Sequence, residues 1–230
     1  MNTTIADRLS IAQSRMNQAA QKCSRSPSEI KLLAVSKTKP ISDIIEAYQA
    51  GQRLFGENYV QEGEQKIIAM QQAHPDIEWH FIGPLQSNKT KIVAEHFDWM
   101  HTLSREKTAK RLNDQRPAQK APLQVCIQVN ISQEDTKSGI DALAVIELAK
   151  QISQMPNLSL RGVMAIPTAT DDANVQQAEF SQLKQIYQQL QQQFEGIDTL
   201  SMGMSGDLDM AIANGSTMVR IGSAIFGDRA

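Results

Sequence analysis

Cysteine is nearly missing from this chain. Cys23 and Cys126 are its two, and they form neither a CxxC pair nor a metal-ligand spacing. One disulfide is arithmetically possible, but two free thiols in a reducing cytoplasm are the plainer expectation. A basic excess is also missing: 23 Lys and Arg face 25 Asp and Glu, for a net charge of −2. That argues against a nucleic-acid or membrane-surface role. No stretch approaches the ~18 apolar residues of a membrane helix. The opening MNTTIADRLSIAQSRM carries Asp7 and no long apolar run, so it does not read as a signal peptide. No GxGxxG or GxxxxGK[ST] follows a strand pattern, which removes the usual support for dinucleotide and P-loop readings. His74, His96 and His101 show no ligand spacing, so no metal site is expected. No Pro/Gly/Ser-rich linker divides the chain, and residues 1–230 are expected to form one domain.

What is present is a regular alternation. Runs rich in β-branched and apolar residues occur at 30–37, 53–58, 78–83, 98–103, 123–130, 160–166, 199–204 and 218–226. Helical patterns lie between them. One starts after Pro40 and covers 41–51, with Ser42 as a plausible cap; others cover 139–154, where Ile140, Leu143, Ile146, Ala149 and Ile152 recur at roughly helical spacing, and 174–194. In the last, Phe180, Leu183, Tyr187, Leu190 and Phe194 form an apolar stripe, and the glutamines around them read as a solvated face. Residues 3–24 look like an extra leading helix. Strand–helix alternation implies βαβ units and a parallel sheet. Eight strands in about 200 residues favour closure into a single (β/α)₈ TIM-type barrel over an open sheet. In the fifth run, Val125, Ile127 and Val129 suit the helix ring, while Gln124, Cys126, Gln128 and Asn130 suit a polar barrel interior.

Function in such barrels gathers at the carboxyl ends of the strands. The polar residues there are Lys37, Asn58, His80, Asn130, Ser205, Arg220, Gly222 and Ser223. Lys37 shares a face with Leu33 and Val35, and Lys39 projects the same way if the extended run continues, as Pro40 favours. A lone strand-end lysine is ordinarily a solvated charge. A second cation and partial burial would instead disfavour its protonation and make it a nucleophile toward an aldehyde. After the seventh run the chain reads Met202-Gly203-Met204-Ser205-Gly206-Asp207, and the eighth contains Arg220-Ile221-Gly222-Ser223. They suit a phosphate cradle, or glycines that merely relieve crowding. Arg220 inside a barrel needs a partner, either a buried ion pair or a ligand. His80 reads as a hydrogen-bonded core residue, and Asp207 and Asp209 as helix-start carboxylates. The polar segment 130–139, with Lys137, is a solvated turn by default and a mobile lid otherwise.

The runs LLAVSKTKP (32–40), FGENYVQE (55–62), WHFIGPLQSNK (79–89), RGVMAIP (161–167), LSMGMSGD (200–207) and MVRIGSAIFGDR (218–229) resemble the YggS/PROSC family of pyridoxal-phosphate homeostasis proteins. The similarity spans nearly the whole chain in order. Val163 stands where leucine is also expected. The resemblance implies a fold like the N-terminal barrel of alanine racemase. It implies pyridoxal 5′-phosphate (PLP) held as a Schiff base on Lys37, with phosphate contacts from Ser205, Gly222 and Ser223. Arg220 would face the pyridine nitrogen and weaken the cofactor's electron-sink behaviour, and Asn58 would lie in the same pocket. It implies a protein that holds and releases PLP, with no catalytic residue assigned and apo-PLP enzymes as potential recipients.

The alternatives are a PLP-dependent amino-acid racemase and a cofactor-free Schiff-base aldolase acting on a phosphosugar. Two-base racemisation needs a second base, which related racemases take from a further domain. The chain stops a few residues past the eighth run, so that base is not expected, and a monomer is.

Overall fold

The computed structural model describes residues 3–132, 134 and 138–227. Lys137 lies outside them, as do 133, 135 and 136 of the segment 130–139, the candidate lid. Eight parallel strands, paired in sequence order and closing between the first and the last, make a barrel. They are β1 (Lys31–Val35), β2 (Leu54–Glu57), β3 (Glu78–Phe81), β4 (Trp99–Leu103), β5 (Leu123–Gln128), β6 (Leu158–Met164), β7 (Thr199–Ser201) and β8 (Met218–Ile221). Among the described residues the helices are α1 (Ile5–Lys22), α2 (Ile41–Gln49), α3 (Val60–Met70), α4 (Thr90–His96), α5 (Glu106–Gln115), α6 (Val145–Ser153), α7 (Ala173–Gln193), α8 (Leu208–Ala213) and α9 (Ser223–Phe226). None is long and apolar enough to cross a membrane.

Strand parity sorts the core into two compartments. Leu32, Ala34, Val125, Ile127, Val129, Val219 and Ile221 belong to the large cluster shared with the helices. Trp99, Cys126 and Met164 form a separate small cluster. Alternation along each strand puts that cluster on the opposite face, inside the ring. Burial pushes the Cys126 thiol pKa up, and Cys23 and Cys126 are both free thiols.

α1 starts with a capping box: Thr4 Oγ1 accepts from Asp7 N at 3.1 Å, and Asp7 Oδ2 accepts from Thr4 N at 3.0 Å. Ile5, Leu9, Ala12 and Met16 form its buried stripe. Arg8 reaches α9, which follows β8, and Arg15 the loop after β7: Arg8 Nε donates to Ile225 O at 2.6 Å and Arg15 Nη1 to Ser205 O at 2.6 Å. The leading helix thus braces the end of the barrel where the glycine–serine turns sit.

Four sequence expectations change. The eighth strand stops at Ile221; Gly222 caps α9, so 223–226 is a helical turn rather than strand. A four-residue apolar run carries no period long enough to tell the two apart. The helix expected over 139–154 begins at Val145. Ile140 instead bridges Val129, and Leu143 is 95% exposed rather than part of the buried stripe. The seventh strand ends at Ser201 because Gly203 turns the chain at φ +99°, with Ala211 packed where a Cβ would stand. α2 is capped by Pro40, not Ser42.

Candidate cofactor site

Lys37 sits in a tight turn rather than on a continuing strand. Lys39 N donates to Ser36 O at 3.1 Å, and Thr38 takes φ +62°. The extended run expected through Lys39 therefore does not form. A β-branched residue in the left-handed region is strained and needs outside support. Thr38 N donates to Glu62 Oε1 at 2.6 Å, and Lys66 Nζ donates to that same oxygen at 2.6 Å. Lys66 Nζ also donates to Ser36 O at 2.9 Å and to Glu57 Oε1 at 2.8 Å, while Ser36 Oγ donates to Glu57 Oε1 at 2.6 Å. Residues from β2 and α3 thus hold both ends of the turn. Burial pushes the Glu57 carboxyl above its usual range, against the pull of Lys66 and Ser36, and its Oε2 is buried without a hydrogen-bond partner.

The turn opens onto a cavity of about 640 Å³ at the carboxyl ends of the strands. Lys37, Asn58, Ser205, Arg220, Gly222 and Ser223 all line it, together with Lys39 and an apolar share from Val35, Ile82, Met164, Ile166 and Met204. Six residues from four separate stretches of sequence therefore meet in one place. Asn58 is fixed from behind: Gly83 lies so close that a Cβ there would stand 2.0 Å from Asn58 O. Its Oδ1 is buried and has no hydrogen-bond partner, an unmet polar group on the cavity wall. A Cβ on Gly222 would meet Val35 at 3.4 Å, an ordinary contact, so crowding does not demand the glycine. Asp207 accepts from Met204 N at 2.6 Å and shapes the turn before α8, while Asp209 pairs with Arg15 at 2.7 Å. Asn130 and His80 do not reach the cavity. Asn130 Nδ2 donates to Glu134 O at 2.9 Å, within its own loop.

Arg220 is buried, and none of the ion pairs among the described residues includes it. Its Nη1 donates to Ser201 Oγ at 2.8 Å and its Nη2 to Ala165 O at 3.0 Å. Burial lowers its pKa to about 10, against the pull of Asp207, so it remains a cation at neutral pH. Of the two sequence readings, the buried ion pair is the one the geometry removes.

His80 is a core histidine. It stacks on Trp99 with ring centroids 5.1 Å apart and hydrogen-bonds to Glu78 and His101. Burial lowers the pKa of both imidazoles; for His80 the carboxylates of Glu78 and Asp98 oppose it and Lys31 adds to it, and for His101 His80 and Arg220 add to it. The folded molecule keeps both rings neutral in a range where the unfolded chain takes up protons, below ~6.5. Stability is therefore full above that pH and falls as pH drops, by up to about 1.4 kcal/mol per pH unit for each ring. Urea titrations between pH 7.5 and 5 check this. A pH-independent midpoint contradicts neutral buried rings.

The match to the alanine racemase N-terminal domain family covers residues 9–230. The pyridoxal phosphate homeostasis protein of Pasteurella multocida is 58% identical over 98% of both chains, and that of Escherichia coli K12 is 56% identical over 98% of this chain and 97% of its own. This chain belongs to the pyridoxal phosphate homeostasis protein family. Among solved structures, PipY of Synechococcus elongatus with PLP bound is 37% identical, covers 97% of this chain and 100% of its own, and superposes with a TM-score of 0.81. With the alanine racemases the likeness is one of fold alone. An alanine racemase of Clostridium difficile is 14% identical, with a TM-score of 0.74, and this chain covers 56% of it.

Proposed function

We propose that this protein binds PLP as a Schiff base on Lys37 and serves intracellular PLP homeostasis, holding and releasing the cofactor rather than turning over a substrate. The observation that carries the reading is the single cavity in which an amine, a buried cation without an ion-pair partner and two glycine–serine turns meet. Its volume lies within the range of small-molecule sites. When bound, PLP supplies an aldehyde that condenses with an amine and a heteroaromatic ring that can take up electrons. Lys37 is the amine, placed by the Ser36–Lys39 turn. Ser205, Gly222 and Ser223 offer hydroxyl and backbone donors for a phosphate. Arg220 carries only donors, and facing the ring nitrogen it opposes protonation there and damps the electron sink. Asn58 gains through the ligand the partner that its buried amide lacks. On this reading the chain works as one barrel unit, a cytoplasmic monomer that passes PLP to apo-enzymes.

The relatives at 56–58% identity are pyridoxal phosphate homeostasis proteins, which favours homeostasis over racemisation. The test starts with a visible spectrum. The loaded protein is expected to be yellow, to lose that band on borohydride reduction, and to restore activity to an apo-PLP enzyme on mixing. Lys37-dependent interconversion of amino-acid enantiomers would replace this reading with a racemase. A colourless protein that forms an adduct only with a phosphosugar would replace it with an aldolase. Ser205→Ala and Arg220→Ala are each expected to speed PLP loss about tenfold with circular dichroism unchanged, the scale of one hydrogen bond to a charged group. Unchanged retention in both removes the cradle assignment.

A further inference from the structure

The interior of a barrel is normally filled by layers of branched apolar side chains. Here a file of polar groups runs along it instead. From the cavity downward, Arg220 Nη1 meets Ser201 Oγ at 2.8 Å, Ser201 Oγ meets His101 Nδ1 at 2.9 Å, His101 Nε2 meets His80 Nδ1 at 2.8 Å, and His80 Nε2 meets Glu78 Oε1 at 2.9 Å. Ser201, His101 and His80 are fully buried, whereas the Glu78 side chain is 38% exposed at the amino-terminal end of β3. The members come from β3, β4, β7 and β8, and the sequence gives no local sign that they touch.

Donor chemistry sets the direction of every link. The Glu78 carboxylate only accepts, so a neutral His80 donates from Nε2 and presents Nδ1 as an acceptor. His101 therefore carries its proton on Nε2 and donates to His80, which leaves its own Nδ1 to accept the Ser201 hydroxyl proton. A guanidinium only donates, so Ser201 Oγ also accepts from Arg220. The one anion at the bottom thus dictates both tautomers, and the file ends on one cation at the top. Each donation strengthens the next acceptor. The arrangement holds Arg220 through a neutral hydroxyl rather than a carboxylate, so among the described residues no contact ion pair cancels the cation.

We propose that Glu78, His80, His101 and Ser201 act as positioning residues for Arg220, so that the solvent-facing end of the barrel helps set the state of the cofactor bound at the other end. The inference rests on the reading of the cavity as a PLP site, and its test separates the two. Nitrogen-15 spectra of the PLP-free protein report imidazole tautomers directly. Both His80 and His101 are expected as neutral Nε2–H rings at pH 7.5. Either ring carrying its proton on Nδ1 overturns the chain. Release of PLP and the position of its visible band are then compared in three variants. Glu78→Gln keeps an acceptor for His80 and is expected to stay within about twofold of wild type. Glu78→Leu removes that acceptor and is expected to release PLP about threefold faster with a shifted band. Ser201→Ala breaks the link beside Arg220 and is expected to release it about tenfold faster; it carries the test alone if Glu78→Leu does not fold. Wild-type release and spectrum in both Glu78→Leu and Ser201→Ala overturn the proposal while leaving PLP binding intact. Failure of the wild type to take up PLP overturns both.

Discussion

Substituting Lys37 by alanine is expected to abolish covalent PLP retention. Borohydride treatment of Lys37→Ala should fix no phosphopyridoxyl group on the chain, and gel filtration should strip the cofactor at least roughly tenfold more completely than from wild type, since only non-covalent contacts remain. Lys39 is the informative control because it lines the same cavity. The two lysines differ in placement: Lys37 lies inside the Ser36–Lys39 turn that Glu62 and Lys66 hold, and Lys39 closes it. Lys39→Ala should therefore still yield a labelled peptide containing Lys37. Peptide mass mapping after reduction reads both outcomes. A label on Lys39 in the wild type would move the site.

Replacing Lys66 by methionine is expected to cost about 3–5 kcal/mol, the scale for stranding a buried charge. Lys66 is buried and holds three oxygens, from Ser36, Glu57 and Glu62. Methionine fills the space but leaves the fully buried Glu57 carboxylate with one donor, Ser36 Oγ. The loss should exceed what the pair itself contributes, because the pair already bears the desolvation of both charges. The double variant Glu57→Gln/Lys66→Met should accordingly recover part of the stability. Urea midpoints of the wild type and the variants give the comparison, and a loss under about 1 kcal/mol in the single variant would mean that water reaches Glu57. The same variant should loosen the strained Thr38 turn, so PLP retention should fall with stability even though Lys66 does not line the cavity. A site built on a strained turn is only as well placed as the groups that hold the turn.

The candidate site was legible where its residues stand at strand ends. Lys37 and Asn58 end their runs, Ser205 follows the seventh, and Arg220, Gly222 and Ser223 lie in the eighth; the strand-end rule for barrels gathers all six without coordinates, together with His80 and Asn130, which do not reach the cavity. Its supports were not. An extended run through Lys39 is the sequence expectation, yet Glu62 and Lys66 from outside the segment hold a turn at Thr38. Local propensity lost there to tertiary hydrogen bonds. Leu143 fits a helical stripe by spacing alone, but the pairing of Ile140 with Val129 delays the helix and leaves Leu143 in solvent.

The chain's own pattern determined its architecture: eight β-rich runs alternating with helical ones leave few ways to bury both faces of a parallel sheet, and closure is one of them. It also determined which chemical groups stand at the strand ends. Only the folded structure decided what those groups do to one another. Arg220 acquires Ser201, His101, His80 and Glu78 as successive neighbours across as many as 142 positions of sequence. Hydrogen bonds act over about 3 Å. Three of these links lie within β3 or between consecutive strands, but the link from His101 to Ser201 joins β4 to β7 across the barrel interior, and no local pattern records it.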